Sequence, residues 1–108
     1  MIHWPTVEQL RNEVGAEEFV EVLQIFFEEV SETFAQMRAD PDRAQLERNL
    51  HFLKGSAVSL GFQTFSRLCQ DGERMSASGS AGAVDLDAIV TAFEESRSAF
   101  HADLARHV

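Results

Sequence analysis

Cysteine is almost absent from this chain, which has a single one, Cys69, among 108 residues. No internal disulfide can therefore form, and a lone thiol fits a reducing compartment. Free cysteine is among the most buried residue types, so we expect Cys69 to be buried and inert. The first residues, MIHWP, lack a basic region followed by an apolar one, which argues against a signal peptide.

Basic residues are also scarce. The chain has 9 Lys and Arg against 18 Asp and Glu, which gives a net charge of −9 and a pI near 4.7. Nucleic-acid binding needs a basic surface, which this composition does not provide, and an anionic membrane would repel the chain. Apolar runs are only a few residues long, too short to span a bilayer. No zinc-ligand spacing and no glycine-rich phosphate loop occurs.

What the sequence does contain is the pattern of one all-helical (all-α) domain over residues 1–108. Apolar residues make up 44% of the chain, which is ordinary for a folded domain. No alternating strand pattern appears. Because the connections are mostly short, sequential helices should be antiparallel neighbours. We predict an antiparallel up-down-up-down four-helix bundle with a short additional N-terminal helix. The predicted helices cover residues 7–14, 16–37, 41–60, 62–75 and the segment after 85.

Capping residues set the predicted helix ends. Thr6, with Gln9 three positions later, has the spacing of a capping box for the first helix. Asp40 followed by Pro41 is typical of an N-cap with proline at the first helical position. Asp85 is the expected N-cap of the last helix.

Phenylalanine supplies most of the predicted core. Seven of the nine phenylalanines fall on apolar helix stripes, so we interpret them as core residues. Phe27 and Phe52 fit these stripes less well, and we predict that they line a partner surface. The seven core phenylalanines are Phe19, Phe26, Phe34, Phe62, Phe65, Phe93 and Phe100.

His51 lies on the polar side of its predicted helix. At about 100° per residue, the apolar residues of this helix fall within an arc of roughly 80°; they are Leu46, Leu50, Leu53, Ala57 and Leu60. The imidazole projects near the opposite pole, on the side shared by Ala44, Arg48, Gly55 and Val58. This placement is unusual for a core and suited to presenting a nucleophile to another protein. The other histidines, His3, His101 and His107, are interpreted as solvated.

Gly55, one turn beyond His51, has two interpretations. Glycine inside a helix costs roughly 1 kcal/mol relative to alanine, so its presence needs a reason. Either a partner's backbone approaches the imidazole there, or another helix of this chain packs closely against the glycine. The sequence leaves both open.

The segment around His51 resembles the histidine-containing phosphotransfer (HPt) family. The matching positions are His51, Lys54, Gly55, Ser56 and the pair Leu60-Gly61, and the resemblance continues in the next helix with Leu68, Cys69 and Glu73. It implies a cytoplasmic carrier that takes a phosphoryl group from a receiver-domain aspartate and passes it to another receiver. We expect the partner receivers to belong to a hybrid histidine kinase and a downstream regulator, and magnesium to be held by the partner receiver, with no cofactor in this chain. The chain also lacks any candidate ATP-binding domain, so we expect no autokinase activity.

The chemistry of these residues fits that role. Imidazole is substantially neutral and nucleophilic near neutral pH, and Lys54 could neutralise phosphoryl oxygens as a point charge. In the resemblance, a Gln or Glu of the next helix orients the imidazole. Glu73 falls at that position, with Gln70 as the substitute if the register differs. Ala44, Arg48, Gly55 and Val58 would form the docking surface for receivers.

Two other functions compete with the carrier. One is a bundle that docks receivers or a kinase without carrying phosphate, and the other is a small phosphatase for receiver aspartates. The complete set of His51, Lys54 and Gly55 favours the carrier over the docking bundle. No second activating group except Glu73 is evident beside His51, which disfavours the phosphatase. We expect a monomer, and the sequence does not identify the kinase, the regulators or the direction of phosphoryl flow.

Overall fold

The computed structural model describes residues 1–107, and all of its regular structure in that range is helical. Five α-helices occur, with a short 3₁₀ turn at Ala81–Ala83 before the last. The prediction of an all-α fold is confirmed. The helices are α1 (Trp4–Val14), α2 (Ala16–Arg38), α3 (Leu46–Leu60), α4 (Gln63–Ala77) and α5 (Leu86–His107).

Helices α3 and α4 form the most extensively packed pair, and only Gly61 and Phe62 connect them. Gly61 ends α3 with a positive φ of 73°, a conformation that glycine adopts without steric cost. Phe62 is fully buried. Since two residues are too few for the chain to return to the start of α3, and α4 packs along α3, the two helices run in opposite directions. Leu50 lies against Gly72 and His51 against Glu73. The up-down order of all four long helices stays a prediction.

The core is rich in stacked and edge-on aromatic rings. Phe93 is 2% exposed, and its ring centroid lies 5.1 Å from that of Phe65 and 5.7 Å from that of Phe34. Six of the seven predicted core phenylalanines are buried, and Phe26 is half-buried against them. The prediction that Phe27 lines a partner surface is wrong, since its ring packs on four aromatic rings of the bundle: Phe62, Phe93, Phe100 and His101.

The start of α1 and the end of α5 meet on one side of this core. Trp4 stacks on His107 at 4.0 Å and on Phe100 at 5.5 Å between ring centroids. His107 is therefore half-buried rather than solvated as predicted. Helix α1 begins at Trp4, earlier than expected, with Pro5 in its first turn. Thr6 does not cap it, because the Thr6 hydroxyl instead contacts Nδ1 of His3 at 2.8 Å.

The start of α3 also differs from the prediction. Residues 41–45 form turns, and α3 begins at Leu46. Arg43 has a φ of 55°, which breaks the helix. Its guanidinium donates hydrogen bonds to the carbonyl oxygens of Ala81 and Val84 at 2.7 and 2.8 Å. These contacts hold the turn against the α4–α5 connection, so Asp40 caps a turn through the Gln45 amide rather than a helix.

Asp85 is the N-cap of α5, as predicted, because its carboxylate accepts a hydrogen bond from the Ala88 amide at 3.1 Å. None of the helices within residues 1–107 combines the length and apolar character needed to cross a membrane.

Candidate functional site

His51 projects from the middle of α3 into solvent. The apolar stripe of this helix is buried, with every member at most 2% exposed: Leu46, Leu50, Leu53, Ala57 and Leu60. The His51 side chain, on the other side, is 69% exposed. The helical spacing of the sequence predicts this division, since burial of the stripe leaves the opposite pole in water.

Glu73 of α4 holds one edge of the imidazole. Its Oε2 lies 2.8 Å from Nδ1 of His51, which is hydrogen-bond distance. Gln70, the alternative, makes no hydrogen bond to His51 in the described structure. A carboxylate can only accept, so Nδ1 carries the ring hydrogen in this contact, and in the neutral tautomer that this contact favours the lone pair is on Nε2.

Lys54 completes a chain of three charged or titratable groups. Its Nζ lies 3.0 Å from Oε1 of Glu73, so one carboxylate contacts both the imidazole and the ammonium. Oε1 is enclosed and its contact with Lys54 is an ion pair outside good hydrogen-bond geometry. The pKa of Glu73 lies below its usual value; Lys54 is the main cause, partial burial opposes it, and the His51 hydrogen bond adds to it. Glu73 is therefore ionised at neutral pH.

Gly72 lets α4 approach α3 closely, and this approach brings Glu73 within hydrogen-bond distance of His51. A Cβ at residue 72 would lie 2.8 Å from Cδ1 of Leu50 and 3.1 Å from Cγ1 of Val84. Such contacts are too short for carbon atoms, so only glycine fits without repacking. Leu50 and Gly72 directly precede His51 and Glu73 in their helices, and their close approach sets the register of the site.

Gly55 behaves differently, because a Cβ there would meet nothing within 4 Å. The interpretation that Gly55 lets another helix of this chain pack closely is therefore wrong. Gly55 is exposed on the His51 side of α3, where it leaves the space above the helix open.

The surface around His51 combines charged and apolar groups. Ala44, Glu47 and Arg48 line a shallow depression together with His51 and Glu73. Ala44 belongs to the turn before α3 rather than to the helix. Val58, two turns beyond His51, is 60% exposed. Glu47 and Arg48, which carry opposite charges, both belong to α3 and lie beside His51 in this depression.

Phe52 is 43% exposed and lines a groove between α2 and α3 with Arg48 and Asn49. Its exposure is in keeping with the prediction, and its place at a partner surface stays a prediction. Ser56 is buried, in keeping with a packing residue.

Cys69 is fully buried, as predicted. Burial is the main cause that raises the pKa of its thiol to about 12, and the nearby charge of Glu73 adds to the effect. The thiolate is the reactive form of cysteine, so this side chain is inert at neutral pH. Within residues 1–107, no group of three or more His, Cys, Asp or Glu side chains could hold a metal ion.

Comparison with known proteins identifies the family. A family model for the Hpt domain matches residues 21–106, which include α3, α4 and the whole candidate site. The chain therefore belongs to the Hpt domain family, whose members act in histidine phosphotransfer within phosphorelays and interact with response-regulator receiver domains. Comparisons with curated proteins and with solved structures gave no significant match.

An enlarged residue at position 55 should obstruct this face without harming the fold. Gly55→Gln adds a side chain where the bundle has no atom within 4 Å, and it removes a glycine that costs about 1 kcal/mol in a helix. We expect unchanged or slightly higher thermal stability, and a loss of receiver affinity of roughly tenfold or more, since 1.4 kcal/mol corresponds to tenfold. Calorimetric binding to a receiver domain would measure this.

Gly79→Gln is the matched control for that change. Gly79 also has open space around it, but it lies in the connection after α4. Its φ of 90° makes the substitution strained, so the control should lose some stability and keep its receiver affinity. Equal receiver affinity of wild type and Gly55→Gln would contradict a partner approach at Gly55.

Proposed function

We propose that this chain, a single domain over residues 1–108, is a phosphoryl carrier of a two-component phosphorelay. His51 accepts a phosphoryl group from the aspartyl phosphate of one receiver domain and passes it to the aspartate of another. The observation that carries the proposal is the exposed imidazole whose Nδ1 is held by Glu73 at 2.8 Å. That contact directs the free lone pair of Nε2 outward, toward a docked partner.

In the first transfer, the lone pair of Nε2 attacks the phosphorus of the aspartyl phosphate. The nitrogen–phosphorus bond forms as the acyl oxygen–phosphorus bond breaks, and the receiver's aspartate leaves as a carboxylate. Phosphoryl transfer depends mainly on positioning and charge neutralisation. In this proposal Lys54 supplies positive charge from this chain, and magnesium is supplied by the receiver.

Docking is assigned to the surface on the His51 side of α3. Ala44, Arg48, Gly55 and Val58 are all exposed there. Gly55 leaves room for the receiver backbone, Val58 offers an apolar contact, and Arg48 offers a charge that can pair with an acidic partner group. We further propose a monomer in the cytoplasm that does not phosphorylate itself.

Transfer of radioactive phosphate from a phosphorylated receiver of the same organism, with magnesium, tests the proposal. A carrier should gain label that is labile in acid and stable in alkali. Binding to receivers with no label from any of them would instead support a docking bundle. Loss of the receiver's label as free phosphate, without labelled carrier, would support a phosphatase.

Lys54→Ala should slow the transfer by roughly ten- to a hundredfold without removing the phosphorylation site. Lys54 is the only lysine of the chain, and its ammonium lies one helical turn from His51 on the same face. Loss of a charge that stabilises the transition state by about 1.4 to 2.7 kcal/mol gives this range. Rapid-quench transfer from a labelled receiver would measure the rate.

Two further variants show whether the effect of Lys54→Ala comes from the loss of positive charge at this position. Lys54→Arg keeps the charge and should recover part of the rate. Arg67→Ala removes an exposed cation from α4 outside the site and should transfer at the wild-type rate. Identical rates for wild type and Lys54→Ala would remove Lys54 from the mechanism.

A further inference from the structure

The carboxylate of Glu73 faces two groups that differ in what they can give it. Oε2 accepts the Nδ1 hydrogen of His51 at 2.8 Å, and Oε1 faces the Lys54 ammonium at 3.0 Å. The side chain of Glu73 is 21% exposed, against 69% for His51. The contact therefore joins a largely exposed imidazole to a carboxylate side chain that the bundle mostly covers.

We propose that Glu73 keeps the proton on Nδ1 of His51 while Nε2 carries the phosphoryl group, so that the imidazole later departs as a neutral ring. Glu73 thus acts as a positioning residue that also preserves the leaving group. The inference rests on the proposed carrier function and adds to it a pH range over which the carrier can deliver its phosphoryl group.

The atom balance explains why this proton matters. When Nε2 attacks, it shares its lone pair with phosphorus while Nδ1 keeps its hydrogen, so the phosphorylated ring carries a positive charge. When the phosphoryl group leaves for the next aspartate, the bonding pair returns to Nε2 and the ring is neutral. If Nδ1 had lost its proton first, the same step would have to expel an anionic ring, which is a much poorer leaving group.

A carboxylate stabilises that charged ring better than a neutral acceptor does. Hydrogen bonds with an ionised partner are about twice as strong as neutral ones, and an opposite charge favours the protonated imidazole. Glutamine at residue 73 could accept the same hydrogen bond and orient the ring, but it would not supply the negative charge.

Lys54 prevents a different loss of the Nδ1 proton, its transfer from His51 to the carboxylate of Glu73. The ammonium lowers the pKa of Glu73, so this carboxylate stays ionised and accepts the hydrogen bond without taking the proton. The ion pair of Lys54 with Glu73 and the hydrogen bond of Glu73 with His51 are therefore parts of one arrangement.

Other charged groups near the ring do not contact Nδ1. From α3, Glu47 and Arg48 line the depression with His51, and they carry opposite charges. The turn before α3 contributes the uncharged Ala44, and α4 contributes Glu73. Among the described residues, Glu73 is the one within hydrogen-bond distance of the imidazole.

The test compares transfer from phosphorylated wild type and phosphorylated Glu73→Gln to one receiver domain between about pH 6 and pH 9, the range around histidine titration. Using the same receiver cancels its own pH dependence in the ratio of the two rates. We expect the ratio of wild type to variant to rise with pH, by about tenfold per unit once the variant ring loses its proton.

Glu47→Gln is the matched control, because it removes a carboxylate from the same depression without touching the hydrogen bond to Nδ1. Its rate ratio to wild type should not change with pH. A ratio for Glu73→Gln that is flat across the whole pH range would overturn the inference, as would a Glu47→Gln ratio that rises equally.

Nitrogen NMR of the imidazole gives a second readout that does not need a receiver. Each ¹⁵N-labelled protein is phosphorylated with phosphoramidate, and the Nδ1 proton is followed with pH. Wild type should keep this proton to a higher pH than Glu73→Gln, and loss at the same pH in both would overturn the inference. Absence of phosphoryl transfer in wild type would instead refute the carrier function itself.

Discussion

His51→Gln should abolish phosphorylation of the chain while leaving its stability unchanged. The His51 side chain is 69% exposed and makes one hydrogen bond, to Glu73, so glutamine fits its place on α3 and can still donate to the carboxylate. The glutamine amide nitrogen is not nucleophilic, and no phosphoramidate bond can form there. We expect label transfer from a phosphorylated receiver to fall by more than a thousandfold, to the background of the assay, which corresponds to at least about 4 kcal/mol.

His101→Gln is the matched control for this loss. His101 is also exposed on a helix, but it lies on α5, where its ring meets the edges of Phe27 and Phe100. It should accept label as fast as wild type. Label retained by His51→Gln, or lost from His101→Gln with the fold intact, would place the phosphorylation site elsewhere.

Receiver binding separates the chemistry from the docking. Because the docking surface proposed above does not need the imidazole, His51→Gln should still bind receivers with an affinity within a few fold of wild type. A variant that has lost both labelling and binding, yet unfolds at the wild-type temperature, would show that the imidazole itself is a main docking contact.

The sequence predicts the site's helix well because local periodicity decides it. Burial of the stripe from Leu46 to Leu60 leaves only one side of α3 for His51, and no tertiary information is needed for that step. The choice of Glu73 over Gln70 is different. It depends on the register of α4 along α3, which is set by the fit of Gly72 against Leu50 and Val84. No local sequence pattern reveals that register.

The errors in the fold share this origin. Asp40 and Pro41 have the local chemistry of a helix start, yet the helix begins later because Arg43 reaches carbonyl groups about forty residues away. Phe27 departs from the strongest stripe of α2, and its burial comes from rings on α5 and at the α3–α4 connection. Both depend on long-range contacts that override local signals.

Gly55 shows how the structure resolves a choice that spacing leaves open. The same residue type occurs in both helices of the site, but only Gly72 is enclosed. From helix propensity alone, both glycines are equally unfavourable inside a helix. The position of the neighbouring side chains then assigns Gly72 to packing and leaves Gly55 with an open surface.

Phe93→Ala should produce the largest loss of stability among single changes in the aromatic core. The Phe93 ring is 2% exposed and packs on rings from α2, α4 and the α3–α4 connection: Phe27, Phe34, Phe62 and Phe65. Truncation of a buried phenylalanine costs about 3–5 kcal/mol, since it removes the buried area and leaves a cavity. The free energy of unfolding of a domain this size is about 5–15 kcal/mol in total, so Phe93→Ala would remove a large part of it.

Phe52→Ala makes the same chemical change on the surface and serves as the control. Phe52 is 43% exposed, so less apolar area is removed and no enclosed cavity forms; we expect a loss below about 1 kcal/mol. Urea unfolding followed by circular dichroism should show a much lower midpoint for Phe93→Ala only, with a similar slope for both. Equal losses for the two variants would mean that the aromatic cluster around Phe93 does not hold α5 to the rest of the bundle. Because the site is built on α3 and α4, Phe93→Ala should still accept phosphate at His51 wherever it remains folded.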